Sequence, residues 1–404
     1  MNTLGVLYRY ECRKLFQKKL VWVSLILCVV VALISCSAEL IGGVYVDGER
    51  IDSSYHYALT DLEYMKKLSG RAIDQTLLEE TVAAYRQIPD IAGRHYIGSE
   101  EYQQIARPYS DIFNFVHVTT MLQPSQVMYE WEPDEQEFYQ MQNEFFEEYW
   151  ETLQLTEGEK QFWRNRHDQM ETPLIYQESY IYSKLYSTFQ AIGLFALFMQ
   201  AICLAGVFSD EYSRKTDQLN LCTVNGRKGL YWAKLLAGIS FAAGTSLLLA
   251  VVSFVWLGFL YGRGNASTLL QFVFRSCAEP ITCGQAVLIA DGLMIVTVVL
   301  IAVFTMFLSE WTHNNIATLS IVGTILILDM MVSIPRPLRA LAQLWEWLPF
   351  NILAFHRIFD AYTLPLFGLH LTAWQALPPI YLITAVGLVL MGQKIYRSRQ
   401  ISGR

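Results

Sequence analysis

Six stretches of this chain, 20–37, 184–208, 232–261, 284–308, 316–334 and 374–394, are nearly free of charge and dense in apolar residues. Each is close to the roughly 20 residues that a helix needs to cross the apolar part of a bilayer. The pattern predicts an all-α membrane protein with six transmembrane helices. Pro378-Pro379 blurs the outer boundary of the last run. Only 17% of the residues are charged, against about a quarter in soluble domains. The first run follows a basic start, as a secretory signal does. That polar start is long, however, at about 19 residues, and no small-x-small site closes the run, so it is read as a retained span.

Lys and Arg placement sets the expected orientation. Arg9, Arg13, Lys14, Lys18 and Lys19 precede the first span. Arg214, Lys215, Arg227, Lys228 and Lys234 lie between the second and third, and Lys394, Arg397, Arg399 and Arg404 mark the end of the chain. With six spans these regions share one side, expected to be the cytoplasm of a cell whose plasma membrane holds the chain, with both termini inside and 395–404 as a cytoplasmic tail. Residues 1–19 form an amphipathic segment. Leu4, Tyr8, Cys12, Leu15 and Phe16 share one helical arc, and Arg9, Arg13, Lys14 and Lys18 lie opposite. This predicts an interfacial helix in contact with membrane lipid; plain basic flanking of the first span is the competing reading.

Between the first two spans, 39–183 holds 27 acidic and 10 basic residues, a net charge of −17. It is long enough for a small extracellular domain. Thr76 with Glu79 and Thr156 with Glu159 have capping-box spacing. Phe138, Met141, Phe145 and Trp150 share a helical face, and no strict alternation argues for strands, so a mostly helical domain is expected. The outer segment 335–372 carries Trp345, Trp347 and Phe350 near prolines, a composition suited to the membrane surface or to re-entry.

Several chemistries have no motif here. The chain lacks G-x-x-x-x-G-K-[ST], H-E-x-x-H and G-x-S-x-G, which argues against a nucleotide-phosphate cradle, a metalloprotease or a serine hydrolase. "ILILDMM" imitates a nucleotide-site strand but lies inside an apolar run. The seven histidines are scattered without metal-ligand spacing. The basic regions flank spans, which argues against nucleic-acid binding. Acids inside spans are costly and often mark a path, which makes Asp291 and Asp329 candidates for a substrate or ion route; an interfacial aspartate satisfied by its neighbours is the alternative. Cys277 and Cys283 share an outer loop, where a local disulfide and two free thiols are both open readings.

The polar strip 209–231 interrupts the apolar sequence. Ser209 is an N-cap residue type, Asp210 and Glu211 suit a first helical turn, and Asp210–Arg214 and Glu211–Lys215 are i,i+4 pairs. Taken alone, such a strip is as readily a solvated connecting loop. Together, the basic amphipathic start, six spans with both ends inside and "FSDEYSRKTDQLNLCTVNGRKGLYWAKLL" resemble the permease subunit of a bacterial type-2 ABC exporter, of the subset with a large extracellular insert after the first span. The resemblance covers the membrane portion, about 260 residues, and rests on arrangement more than on fixed residues. It implies that the strip is a coupling helix docking on a separate cytoplasmic ABC ATPase, with Glu211, Arg214, Lys215, Asp217 and Gln218 as contacts. It also implies a second permease, identical or different, with substrate passing between the two. ATP and magnesium would bind the ATPase; this chain would bind no cofactor or metal and catalyse nothing. Two other classes remain. A receptor or sensor with a ligand-binding acidic ectodomain would need only one or two spans, and an intramembrane enzyme would need a nucleophile–base pair or metal motif.

Overall fold

Apolar helices dominate the architecture because the chain has long uncharged runs whose backbone groups can bond only to one another in lipid. The computed structural model describes residues 3–46, 48–88, 95–216, 222 and 229–398. Numbering helices of eight or more residues, α1 is Thr3–Phe16, α2 Lys19–Cys36, α3 Ser54–Leu68, α4 Gln75–Tyr85, α5 Ser110–Thr119, α6 Glu135–Thr152 and α7 Glu157–His167. They continue with α8 Tyr180–Leu204, α9 Gly206–Ser213, α10 Gly229–Tyr261, α11 Cys283–Thr312, α12 Asn315–Met331, α13 Arg339–Glu346 and α14 Ala373–Ser398. Among the described residues, five segments are long and apolar enough to cross a membrane: α2, α8 with α9, α10, α11 and α14. The sixth apolar helix, α12, has 17 residues, about 26 Å of rise, at the lower limit of a span.

Helix α11 is the hub, packing on α8, α9, α10, α12 and α14. Its start is a capping box: Thr282 Oγ1 accepts from Gln285 N and Gln285 Oε1 accepts from Thr282 N. It ends at His313, in the left-handed region at φ 54°. Asn314 then caps α12 by accepting from the Ile316 and Ala317 amides at 2.9 and 3.2 Å, so two residues reverse the chain. Outward faces of α2, α10, α12 and α14 expose large apolar residues such as Val23, Val255, Met331 and Ile383, as lipid-facing surfaces do.

The polar insert is largely helical, with local differences from the sequence reading. Helix α4 is capped by Asp74, whose carboxylate accepts from Leu77 N at 3.0 Å, rather than by Thr76. The Thr156–Glu159 box is present. On α6 the buried stripe is Phe138, Gln142, Phe146 and Trp150, a strict i,i+4 ladder that leaves Met141 and Phe145 half-buried. A short hairpin, β1 Gly43–Val46 with β2 Glu49–Ser53, opens the insert. A second, β3 Thr363–Leu366 with β4 Leu369–Thr372, lies in segment 335–372, turning at Phe367 and Gly368, both at positive φ, as primed two-residue turns require.

The insert is not a freestanding module. Trp150, Trp163, Ala278, Ala361 and Tyr362 share one buried cluster, so loops from far along the chain complete its core. Trp163 Nε1 donates to Ala361 O at 2.7 Å and Tyr149 OH to Asp360 Oδ1 at 2.8 Å. Ion pairs join Arg166 to Glu279 and Arg339 to Glu159. At the junction with the bundle, Glu39 accepts from Tyr180 OH and Tyr261 OH at 2.8 and 2.6 Å and pairs with Lys184, tying the short helical turn after α2, Ala38–Ile41, to α8 and α10.

Segment 335–372 folds back against the bundle. Trp347, Phe350, Ile352 and Leu353 are buried with the membrane helices, and Tyr381 OH on α14 donates to Trp347 O at 2.5 Å. Gly193 permits the approach: a Cβ there would lie 2.7 Å from Leu353 Cδ1 and 3.3 Å from its Cβ.

Candidate functional site

The basic regions that the sequence scatters are gathered at one end of the bundle. There α1 runs along α10, with Tyr8 OH donating to Ser240 Oγ at 3.0 Å and the Phe16 ring 5.9 Å from that of Phe241. Its buried residue is Leu15, while Arg9 and Arg13 are exposed. Beside it, α8 passes into α9 across the single turn residue Ala205. Ser309 Oγ of α11 accepts from the Phe208 and Ser209 amides at 3.2 and 3.1 Å and donates to Ala205 O at 2.5 Å. Ser209 is fully buried inside this helix. It does not cap a new one, which corrects the sequence reading.

The charges of the strip pair across elements instead of within the helix. Helix α9 stops at Ser213, and Lys215 has a left-handed φ of 54°, so the i,i+4 partners Arg214 and Lys215 are turned away from the helix. Asp210 Oδ2 accepts from Lys18 Nζ at 2.8 Å. Glu211 Oε1 accepts from Lys14 Nζ at 2.5 Å and from Lys234 Nζ at 2.8 Å. Lys234 Nζ also donates to Val207 O at 2.7 Å and lies 3.7 Å from Glu11 Oε2. Burial works against the Lys14 charge, but its hydrogen bond to Glu211 and the nearby Glu211 and Glu11 carboxylates push its pKa above the ordinary lysine value. The result is an ionic clasp that fixes α1, α9 and the first turns of α10 together. Such a buried cluster is a register device more than a source of stability, because desolvation offsets much of its attraction.

This geometry sorts the candidate contacts. Glu211 is 8% exposed and held by two lysines, so it anchors the strip from within, at the floor of the groove between α1 and α9. Arg214 and Lys215 are exposed and make no ion pair among the described residues. Asp217 and Gln218 lie outside the described residues. Exposed Tyr212 stacks on His313 of the α11–α12 turn, ring centroids 4.5 Å apart, which braces the tip. An open groove of about 560 Å3 runs between α1 and α9, lined by Tyr10, Lys14, Lys18, Asp210 and Arg214 among others. Two participants in the clasp were missed. Glu11 sits one turn before Lys14 and Leu15, on the face that packs, and Lys234 reads as basic flanking although its side chain is fully buried. A lysine with apolar residues on both sides, in 230–237, was the available signal.

The two acids within apolar helices have unlike surroundings. Asp329 is 3% exposed; its Oδ2 accepts from Phe350 N at 2.9 Å, and Asn351 Nδ2 bonds both its Oδ1 and, at 3.0 Å, its backbone carbonyl. It therefore pins segment 335–372 to the end of α12. Asp291, half-buried on α11, has no hydrogen bond or ion pair among the described residues, and no hydrogen bond joins it to Asp329. Cys277 and Cys283 are both buried free thiols, and Cys283 Sγ donates to Leu269 O at 3.7 Å, so the loop is held without a disulfide.

Compared with models of known families and with curated proteins, the chain finds no match.

Proposed function

We propose that this chain is the permease subunit of an ATP-driven exporter of the type-2 ABC class. In this reading it spans the plasma membrane six times, α12 included, with both termini in the cytoplasm. It works with a second permease, the same or different, and is powered by a separate ATPase that binds ATP and magnesium. The observation that supports this most directly is the exposed tip at Tyr212–Thr216, carried on a helix that is continuous with a membrane segment and clasped to two others. A tip held that rigidly transmits a push to the bundle, whereas a solvated loop would absorb it. Arg214 and Lys215 supply docking charge, which gives register and specificity more than affinity.

Arg214→Glu with Lys215→Glu tests the reading. Neither side chain takes part in the clasp, so the variant is expected to reach the membrane and unfold at the wild-type temperature. Co-purification of an ATPase and ATP-driven transport in liposomes should both fall sharply. Unchanged transport would sink the coupling role.

A further inference from the structure

The outer domain contains a polar cavity of about 240 Å3, away from the clasp. Helix α6 contributes Tyr139, Gln142 and Asn143; the end of α7 contributes His167 and Asp168; the following return contributes Met170, Thr172 and Leu174. Gln142 is 1% exposed, yet its Nε2 has no hydrogen-bond partner. An unmet buried donor destabilises the fold that holds it, and leucine would fill nearly the same space without that cost. Gln142 stands in the buried stripe of α6 between Phe138 and Phe146, where packing alone calls for an apolar residue.

A second unmet group belongs to a residue that lines the same space. His167 Nδ1 is buried without a partner, while its Nε2 lies 3.1 Å from Asn143 Oδ1. An amide oxygen only accepts, so Nε2 carries the ring proton and Nδ1 is left as an acceptor. Burial lowers the His167 pKa, against the opposing pull of Asp168, which keeps the ring neutral near pH 7 and that lone pair available. Tyr139 is different: its hydroxyl donates to Ile73 O at 2.9 Å and accepts from Leu174 N at 2.8 Å, so it presents only its ring. Asp168 is exposed at the rim with no ion pair among the described residues.

We propose that this cavity binds a peptide-like amide bearing a primary amine. Binding turns the two buried side chains toward the cavity, so that the amide carbonyl accepts from Gln142 Nε2 and the amide N–H donates to His167 Nδ1, and the ammonium group lies at Asp168. Tyr139, Met170 and Leu174 flank the connecting methylenes. The net charge of −17 on 39–183 raises the local concentration of such cations at low salt. The site is independent of the permease reading, since it requires neither transport nor an ATPase.

The test is calorimetric titration of the purified full-length chain in nanodiscs with Nα-acetyl-lysinamide. Nα-acetyl-glutamamide and n-pentylamine serve as controls for charge and for the amide. Saturable binding is expected for the lysinamide alone. Gln142→Leu should weaken it by about tenfold, the loss of one good hydrogen bond, while the unfolding temperature of the unliganded protein stays level or rises. Asp168→Asn, at an exposed position that carries no part of the core, should remove the preference for the lysinamide over the glutamamide. No saturable response, an equal response to n-pentylamine, or equal binding by wild type and both variants would overturn the proposal.

Discussion

At Lys234 an ammonium group is enclosed at 0% side-chain exposure between a carboxylate and a backbone carbonyl. Its partner, Glu211, has a second cation in Lys14, and that asymmetry predicts unequal substitutions. Glu211→Leu leaves Lys234 with only Val207 O and the more distant Glu11, and should cost about 3–5 kcal/mol, the usual penalty for stranding a buried charge. Lys234→Met leaves Glu211 still bonded to Lys14 and should cost clearly less. Combining the two should recover much of the loss in Glu211→Leu. Thermal unfolding in detergent gives the ranking, and the reverse order would refute the asymmetry. None of this pairing is legible in sequence. The reading along the chain saw i,i+4 partners at Asp210–Arg214 and Glu211–Lys215, and it could not know that α9 ends at Ser213 and that α1 supplies competing lysines.

Among the elements, the long apolar helices were legible because lipid imposes one requirement on every residue of a span, and hydropathy reads it directly. The two hairpins were not. Their strands have four or five residues, too few for alternation to register, and the local signals were the turn dipeptides Asp47-Gly48 and Phe367-Gly368. Helix α1 was readable as amphipathic, but its role as a strap on α10 depends on contacts with α9. Lys14→Glu with Lys18→Glu gathers five acids, the two new ones with Glu11, Asp210 and Glu211, and should release α1. With cysteines at positions 8 and 240, where Tyr8 OH meets Ser240 Oγ, a short bifunctional thiol reagent should cross-link the otherwise wild-type chain and lose most of its yield in the charge-reversed one. An unchanged yield would mean that the apolar face alone holds α1.

For the whole molecule, one end collects α1, α9, the α11–α12 turn and the last turns of α14, where Tyr396 packs on Phe208 and Tyr231; the other carries the acidic domain. In cells whose other cysteines are replaced, an impermeant maleimide should label Glu101→Cys directly, and native Cys222, which is exposed, only after permeabilisation. The opposite pattern would invert the orientation. The assembly around the acidic insert also has a predictable acid limit. Burial raises the Glu159 pKa, but the Thr156 amide and Arg339 outweigh it and hold the value below the ordinary 4.5. A carboxylate so shifted contributes its full stability above pH 4.5 and loses it as pH falls through the lower folded-state value. Glu159→Gln should therefore lower the unfolding temperature at pH 7, by the equivalent of about 1–3 kcal/mol, and narrow the gap from wild type in strong acid.

The bond from Trp163 to Ala361 closes 198 residues of chain, and that separation is also an interval of time. Synthesis at 5–20 residues per second puts about 10–40 s between the emergence of the two ends. In the proposed orientation, Trp150 and Trp163 stand translocated but uncovered through that interval, on the far side of the membrane from the ribosome. The half-built domain is thus an aromatic surface awaiting loops that belong to later spans, and anything that slows insertion of α11, α12 or α14 lengthens its exposure to proteases and holdases there.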